Sequence, residues 1–330
     1  MAMATAPTPP PPEWAPHRAV WIGFPSHSEI WGPDFEIARD ETAAFADAVH
    51  ADGRGETVLL VVADEEAERA ARMRVDPGIT IVREDFGDVW LRDTGVIIDG
   101  DGVAHDFQFN GWGGKYDFPG DEDVGIRLAK RKRMKVADHD WVLEGGALDG
   151  DGTGLVVTTQ QCVLNTNRNG FVTRSTVEDW LYRDLGFDRV LWLADGLVND
   201  HTDGHVDNLA RFVGENRIAI PMAADNDPNW QIYQAAARTA EAFGCDVVRI
   251  PSPGRYLDRN RDVVPASYMN FYIGNAAVVV PIYGMPADMA AVAAIEKLFP
   301  NREVVGLRAD HILTGGGSFH CISQQIPKLR

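Results

Sequence analysis

The sequence predicts a single α/β domain that closes into a pseudo-fivefold ring. Three observations support this: helix-type and strand-type segments alternate along the chain, five weakly similar units recur, and no long linker or low-complexity tract divides the 330 residues. At 45% hydrophobic and 24% charged, the chain can bury a full core.

The opening Thr8-Pro-Pro-Pro-Pro-Glu13 stretch lacks most backbone donors, so residues 1–12 read as an extended proline-rich arm and residues 13–330 as the folded domain, beginning near Trp14. Pro33-Asp34 should cap a helix running toward Val49 and stopped by Gly53, with Ile37, Phe45 and Val49 on its buried side. The apolar strand Thr57-Val-Leu-Leu-Val-Val-Ala63 follows. Ser175-Thr-Val-Glu178 has the spacing of a capping box, opening a helix that Gly186 ends; residues 229–243 and 288–299 read as further helices, each leading into a strand. The basic run at 130–135 reads as the solvated face of a helical segment.

Two stretches resemble one another: Asp93-Thr-Gly-Val-Ile-Ile-Asp-Gly-Asp-Gly-Val103 and Glu144-Gly-Gly-Ala-Leu-Asp-Gly-Asp-Gly-Thr-Gly-Leu155. Each sets an acid before small residues, then a short strand, an Asp-Gly turn and a second strand. The second also resembles a calcium loop, but its twelfth position is Gln160 rather than a bidentate glutamate, so a hairpin is expected. Polar-headed strands recur at His205, Asn270 and Ser318, and convergence of the five heads on one axis would gather their polar residues.

A formal net charge of −18 disfavours phosphate backbones and anionic membranes as partners and permits a small cation. The start lacks the basic and apolar regions of a signal peptide, and no apolar run reaches membrane-spanning length, so a cytoplasmic location is expected. Three widely spaced cysteines, without a CxxC, argue against a disulfide framework or a cysteine zinc site.

Cys162, in an apolar strand, and Cys245, at a helix exit, read as inert small hydrophobes. Cys321 sits in Gly315-Gly-Gly-Ser-Phe-His-Cys-Ile-Ser-Gln-Gln325, where three glycines can bring backbone close to a ligand. Nucleophile and buried thiol are both open on this local view. In His201-Thr-Asp-Gly-His205-Val-Asp207, the three ionisable side chains His201, His205 and Asp207 could bind a metal; alternatively His205 and Asp207, two apart on a strand, could face one way as an acid/base and an anionic contact. Asp93 and Glu144 each follow an apolar strand, and a buried acid needs a cationic partner, which a ligand could supply.

Taken together, Trp90-Leu-Arg-Asp-Thr-Gly95, Phe109-Asn-Gly-Trp-Gly-Gly114, Glu144-Gly-Gly146, Gly204-His-Val-Asp-Asn208 and the Gly315 to Gln325 motif resemble the agmatine deiminase / bacterial peptidylarginine deiminase family, in order along nearly the whole chain. The resemblance implies a five-bladed α/β propeller of the guanidino-group-modifying enzymes. It makes Cys321 the nucleophile, His205 the general acid/base, Glu144 the carboxylate that pairs with the guanidinium or orients His205, and Asp93 and Asp207 the guanidinium clamps. It also implies a small cationic guanidino substrate, hydrolysis through a covalent amidino-cysteine, no metal or organic cofactor, and a homo-oligomer. Trp90 and Trp112 could meet the distal amine of agmatine. Arg92, Lys115 and Arg168 could pair with the carboxylate of an arginine substrate, although surface charge is the simpler reading of each. His201-Thr-Asp203 departs from the Asp-Thr-Asn common in the family, and Val96 stands where a proline is common. Agmatine, giving N-carbamoylputrescine and ammonia, is the expected substrate; the rival readings are a deiminase of peptidyl arginine or another guanidino compound, a metallohydrolase built on His201, His205 and Asp207, and a non-catalytic polyamine-binding propeller.

Overall fold

Five small sheets follow one another along the chain, and four of them share one plan. A short strand pairs antiparallel with a longer one, and a helix then returns the chain to a third strand lying parallel to the second. In the first of these, Ile97–Ile98 pairs with Val103–Gln108, helix Val124–Arg131 crosses over, and Lys135–Val142 completes the sheet. The plan repeats at Asp149–Gly150, Leu155–Thr159 and Arg189–Leu193, at Arg211–Gly214, Arg217–Met222 and Asp246–Pro251, and at Tyr272–Ile273, Ala277–Ile282 and Glu303–Arg308. The remaining sheet joins the two ends of the chain: Ser323–Pro327 lies antiparallel to His17–Gly23, which pairs parallel with Thr57–Val62, itself parallel to Thr80–Arg83. The computed structural model describes residues 6–329. The expected five units are therefore present in a mixed α/β domain; the first five residues of the expected arm, on which the signal-peptide reading also bears, lie outside the described residues.

Continuous apolar composition explains the middle strands. Parallel pairing leaves them covered on both faces, and all five residues of Leu155–Thr159 are buried. The helices instead carry an apolar stripe. In Phe35–His50 the buried residues include Ala38, Thr42, Phe45, Ala46 and Val49, at three- and four-residue steps. Ile37, expected on that stripe, is 44% exposed because it falls beside the stripe and not on it. The capping box is also displaced: Thr173 accepts the Thr176 N–H to open helix Arg174–Leu185, while Glu178 is engaged by the Trp192 indole at 2.8 Å. Gly186 ends that helix in the left-handed region, as expected. The Asp-Gly sequences at 99–102 and 151–154 are hairpin connections, so the hairpin reading of the calcium-like loop stands.

The polar heads do converge, but from turns preceding the strands. Asp93 lies in a single helical turn, Leu91–Thr94; Glu144 immediately precedes the 3₁₀ turn Gly145–Ala147, and His205 precedes the 3₁₀ turn Val206–Asn208. The expectation that His205 and Asp207 share a strand face is thus corrected. Such turns release backbone from the ladder at the point where five sheets crowd together, and side chains from all five units hydrogen-bond there. Arg211, with no exposed surface, reaches Glu13 at 2.9 Å, Asp149 at 3.3 Å and the Phe271 carbonyl at 2.7 Å. Among residues 6–12, Thr8 bonds the Asp101 carboxylate through its backbone N–H and its hydroxyl at 3.0 and 3.1 Å.

Asp149 also accepts the Phe212 N–H, so its removal strands both a buried guanidinium and a backbone donor. Asp149→Ala is expected to cost about 3–5 kcal/mol of stability, the range for breaking a buried ion pair from one side. Denaturant unfolding monitored by tryptophan fluorescence checks this, the midpoint falling with little change in slope.

Candidate active site

Gly315 and Gly317 must be glycine because aromatic rings and, at Gly317, the Cys321 side chain occupy the space beside them, while Gly316 between them adopts φ +112°. A Cβ on Gly317 would lie 2.7 Å from the Trp90 ring and 3.0 Å from Cys321 Sγ. The glycines therefore let Trp90 and the thiol share one wall of a cavity of about 430 Å³, whose lining also includes Glu29, Asp88, Asp93, Trp112, Tyr116, Phe118, His201 and Thr314. Trp112 is delivered by a strained turn: it adopts φ +54°, rare for a bulky residue, and its indole N–H donates to Asp93 Oδ2 at 2.9 Å. Asp88 accepts the Trp90 indole N–H at 2.7 Å, and burial pushes its carboxyl up to about 6.

Five sequence-predicted residues, Cys321, His205, Glu144, Asp93 and Asp207, come together, each at most 5% exposed. The Cys321 thiol donates to Asp207 Oδ2 at 3.4 Å and receives the Asn270 amide at 3.0 Å. His205 Nδ1 stands 3.6 Å from Asp93 Oδ1, and its Nε2 4.0 Å from Glu144 Oε2. Neither ring nitrogen has a hydrogen-bond partner, and neither has Asp207 Oδ1. Trp90 and Trp112 line the cavity as described.

The charges perturb one another strongly. Burial pushes the Asp93 carboxyl up, the nearby His205 opposes this, and the Asp207 and Glu144 charges add to it; the net result is about 6. Burial lowers the His205 imidazole, but Asp93, Cys162 and Glu144 outweigh it and hold the ring well above its ordinary value. The Cys321 thiol is raised well above its usual range by burial and by the charges of Asp207 and Asp93. Asp207 is lowered: burial opposes ionisation, but hydrogen bonding and charge from His320, with His205 and Arg211, prevail.

Several contributors were invisible in the sequence. Asn270 accepts the backbone N–H groups of His320 and Cys321 through Oδ1 while its amide donates to the thiol, so one side chain fixes the whole nucleophile turn. Gly146 donates its N–H to Asp93 Oδ1 at 3.0 Å, and a Cβ there would lie 2.6 Å from His205 Nδ1. Glu144 Oε1 is taken by Arg168 Nε at 2.6 Å, leaving only Oε2 toward His205. The surface-charge reading of Arg92 and Arg168 is overturned: they are 5% and 7% exposed and paired with Glu13 and with Glu144 and Asp203. Lys115, partly exposed, binds Asp203 at 2.6 Å and the His201 carbonyl at 2.7 Å.

Cys162, expected on a strand, lies in the short helix Gln160–Val163, and its thiol packs with Glu144 and His205 so that their donor atoms lie within 4.8 Å of one another. Those three could hold a metal by donor type, but the Arg168 guanidinium already balances Glu144. Glu41, Asp310 and His311 form the other such group among the described residues. The expected metal set of His201, His205 and Asp207 does not assemble among them; His201 Nδ1 instead meets the Tyr116 hydroxyl at 3.1 Å, at the cavity wall.

The chain is similar to known deiminases over nearly its whole length. The agmatine deiminase of Stutzerimonas stutzeri is 36% identical, covering 96% of this chain and 95% of its own. The solved agmatine deiminase of Enterococcus faecalis superposes with a TM-score of 0.90 at 28% identity, over 99% of this chain and 98% of that one. A substrate-bound agmatine deiminase of C. jejuni also gives 0.90, at 29% identity, over 98% and 97%. The model of the Porphyromonas-type peptidyl-arginine deiminases matches residues 10–327, nearly the whole described chain, and the protein belongs to that family.

Proposed function

We propose that the protein is a hydrolase of linear amidines that converts agmatine to N-carbamoylputrescine and ammonia. The observation that carries this reading is the one-sided charge of the cavity: Asp93, Asp88 and Glu29 line it, and among the described residues no lysine or arginine does. A dication fits such a lining. Free arginine would need a cation for its carboxylate, and Arg92, Lys115 and Arg168, the candidates for that task, are engaged by internal acids. The relatives named as agmatine deiminases support the same substrate.

The guanidinium would enter with its N–H groups facing Asp93 and the unpartnered Asp207 Oδ1, its carbon over Cys321 and its chain between Trp90 and Trp112. Its positive charge cancels much of the field that keeps the thiol protonated, and Cys321 sheds its proton through Asp207, toward which it already points. The thiolate attacks the guanidinium carbon. His205, charged between Asp93 and Glu144, gives its proton to the departing nitrogen, and ammonia leaves the amidino-thioether. The now neutral His205 takes a proton from water, the resulting hydroxide adds to the same carbon, and collapse expels the thiolate with a ureido product. Glu144, tied to Arg168, orients the ring and does not grip substrate.

Ammonia release from agmatine by wild type, lost by at least about 10⁵-fold in Cys321→Ala, is the direct test; equal release by both would sink the covalent mechanism, and release from arginine alone would sink the substrate. A pH profile gives a second check. Asp93 binds a cation only when ionised, so kcat/KM for agmatine should fall about tenfold per pH unit below about 6 and level off above. Gly146→Ala pushes a methyl against His205 and Asp93, so kcat should drop by about 10²-fold with the protein still folded by circular dichroism.

A further inference from the structure

Glu13 ends the proline-rich segment, far from Cys321 in sequence, yet both oxygens of its buried carboxylate are engaged. Oε1 accepts the Ile273 N–H at 2.8 Å and meets Arg211 at 2.9 Å. Oε2 accepts from His320 Nε2 at 2.8 Å and from Arg92 at 3.3 Å. The other nitrogen of His320, Nδ1, meets Asp207 Oδ2 at 2.8 Å, the same oxygen that receives the Cys321 thiol. Glu13, His320, Asp207 and Cys321 thus form one unbroken hydrogen-bonded line, each member at most 5% exposed. Residues 10–12, Glu13, Arg92 and His320 also line a small cavity that does not include Cys321.

We propose that Glu13 is a positioning residue: acting through His320, it fixes the Asp207 carboxylate against the Cys321 thiol. A carboxylate on Nε2 obliges His320 to donate there, and the fixed ring then presents Nδ1 to Asp207. His320 also stands beside Cys321 in the chain, and its backbone carbonyl accepts from Arg92 Nε at 3.4 Å. With Oδ2 so engaged, Asp207 leaves Oδ1 free for a guanidinium and draws less strongly on the thiol proton. The groups facing Asp207 are His320, Cys321 and Asn270 by hydrogen bond and Asp93, His205 and Arg211 by charge; those facing His320 are Glu13 and Asp207, with Arg92 at its carbonyl. Burial opposes ionisation of Glu13, but Arg211, then His320 by charge and hydrogen bond, and then Arg92 hold its carboxyl well below the usual carboxylate range. The segment crossing the cavity lined by residues 10–12 is therefore part of the active machinery, although it touches no substrate. The catalytic side of this inference rests on the deiminase reading; the thiol side does not.

The test compares full-length wild type with Glu13→Gln, His320→Gln and Asp149→Ala. The last removes a buried carboxylate that meets Arg211 and the Phe212 N–H but makes no hydrogen bond to His320 or Asp207, and so reports the loss of a frame contact with the hydrogen-bonded line left intact. Two quantities are read on the folded fraction: the pH dependence of kcat and KM for agmatine, and the rate of Cys321 alkylation by iodoacetamide, located by peptide mass. Glu13→Gln should lower kcat by about 10- to 100-fold, the worth of a charged hydrogen bond, with KM changed less than about threefold. The acid limb of the profile should move up by about half a unit or more, and alkylation should slow about fivefold as Asp207 retains more charge beside the thiol. His320→Gln should do the same and carries the test if Glu13→Gln does not fold, whereas the Asp149→Ala limb should overlie wild type. Profiles and alkylation rates of the Glu13 and His320 variants that superpose on wild type, or an Asp149→Ala limb that moves as far as theirs, would overturn the proposal. Wild type that releases no ammonia from agmatine would sink the deiminase reading alone, and the alkylation rates would still decide the relay.

Discussion

The structure depends on an excess of buried carboxylate at the point where its five units meet. Glu13, Asp93, Glu144, Asp149 and Asp207 are all at most 8% exposed, and the arginines among them are Arg92, Arg168 and Arg211. Buried ionised acids are tolerable only when paired, and here pairing is deliberately uneven. Arginines neutralise Glu13, Glu144 and Asp149, the acids that build the frame; Asp93 and Asp207 share the two histidines His205 and His320 and leave one oxygen bare. The same residue type thus holds the ring together on one side of the axis and reserves a cationic vacancy on the other.

That division also favours the protonated form of the Cys321 thiol. A thiol among acids keeps its proton, and a hydrophobic cavity walled by Trp90 and Trp112 admits little that could relieve the field except a cation of suitable shape. Reactivity is then conditional on the ligand, which protects a buried cysteine from indiscriminate oxidants. The cost is rigidity. Gly146 and Gly317 sit where a single methyl group would displace a reacting atom, and Asn270 spends every polar atom on the turn that carries Cys321.

Much of this was legible in the sequence because the chemistry is local. Asp93, Glu144, His205, Asp207 and Cys321 stand out beside glycines or apolar strands and take their roles from the family resemblance, and the five units show through two Asp-Gly hairpins and three polar-headed segments. What stayed hidden is long-range. Arg168 looks like surface charge until Glu144, 24 positions away, and Asp203, 35 away, close around it. Glu13 and His320, separated by 307 positions, share no local signature at all. The misreadings inside elements have another origin: Ile37 is core by type but not by angle, and the Thr173 cap lies two residues before an equally good capping sequence that Trp192 diverts. Tertiary contacts decide such cases, and propensity cannot see them.

The pairing of Ser323–Pro327 with His17–Gly23 bears on how the protein is made. Residues 323–327 must be in place before the first sheet can close, and Cys321 lies two residues before that strand. Until then the exposed edge of His17–Gly23 is open to pairing with another chain, and the long loop to be closed makes the step slow by its topology. Closure of the first sheet therefore covers that edge and sets the Cys321 thiol against Asp207 in one event.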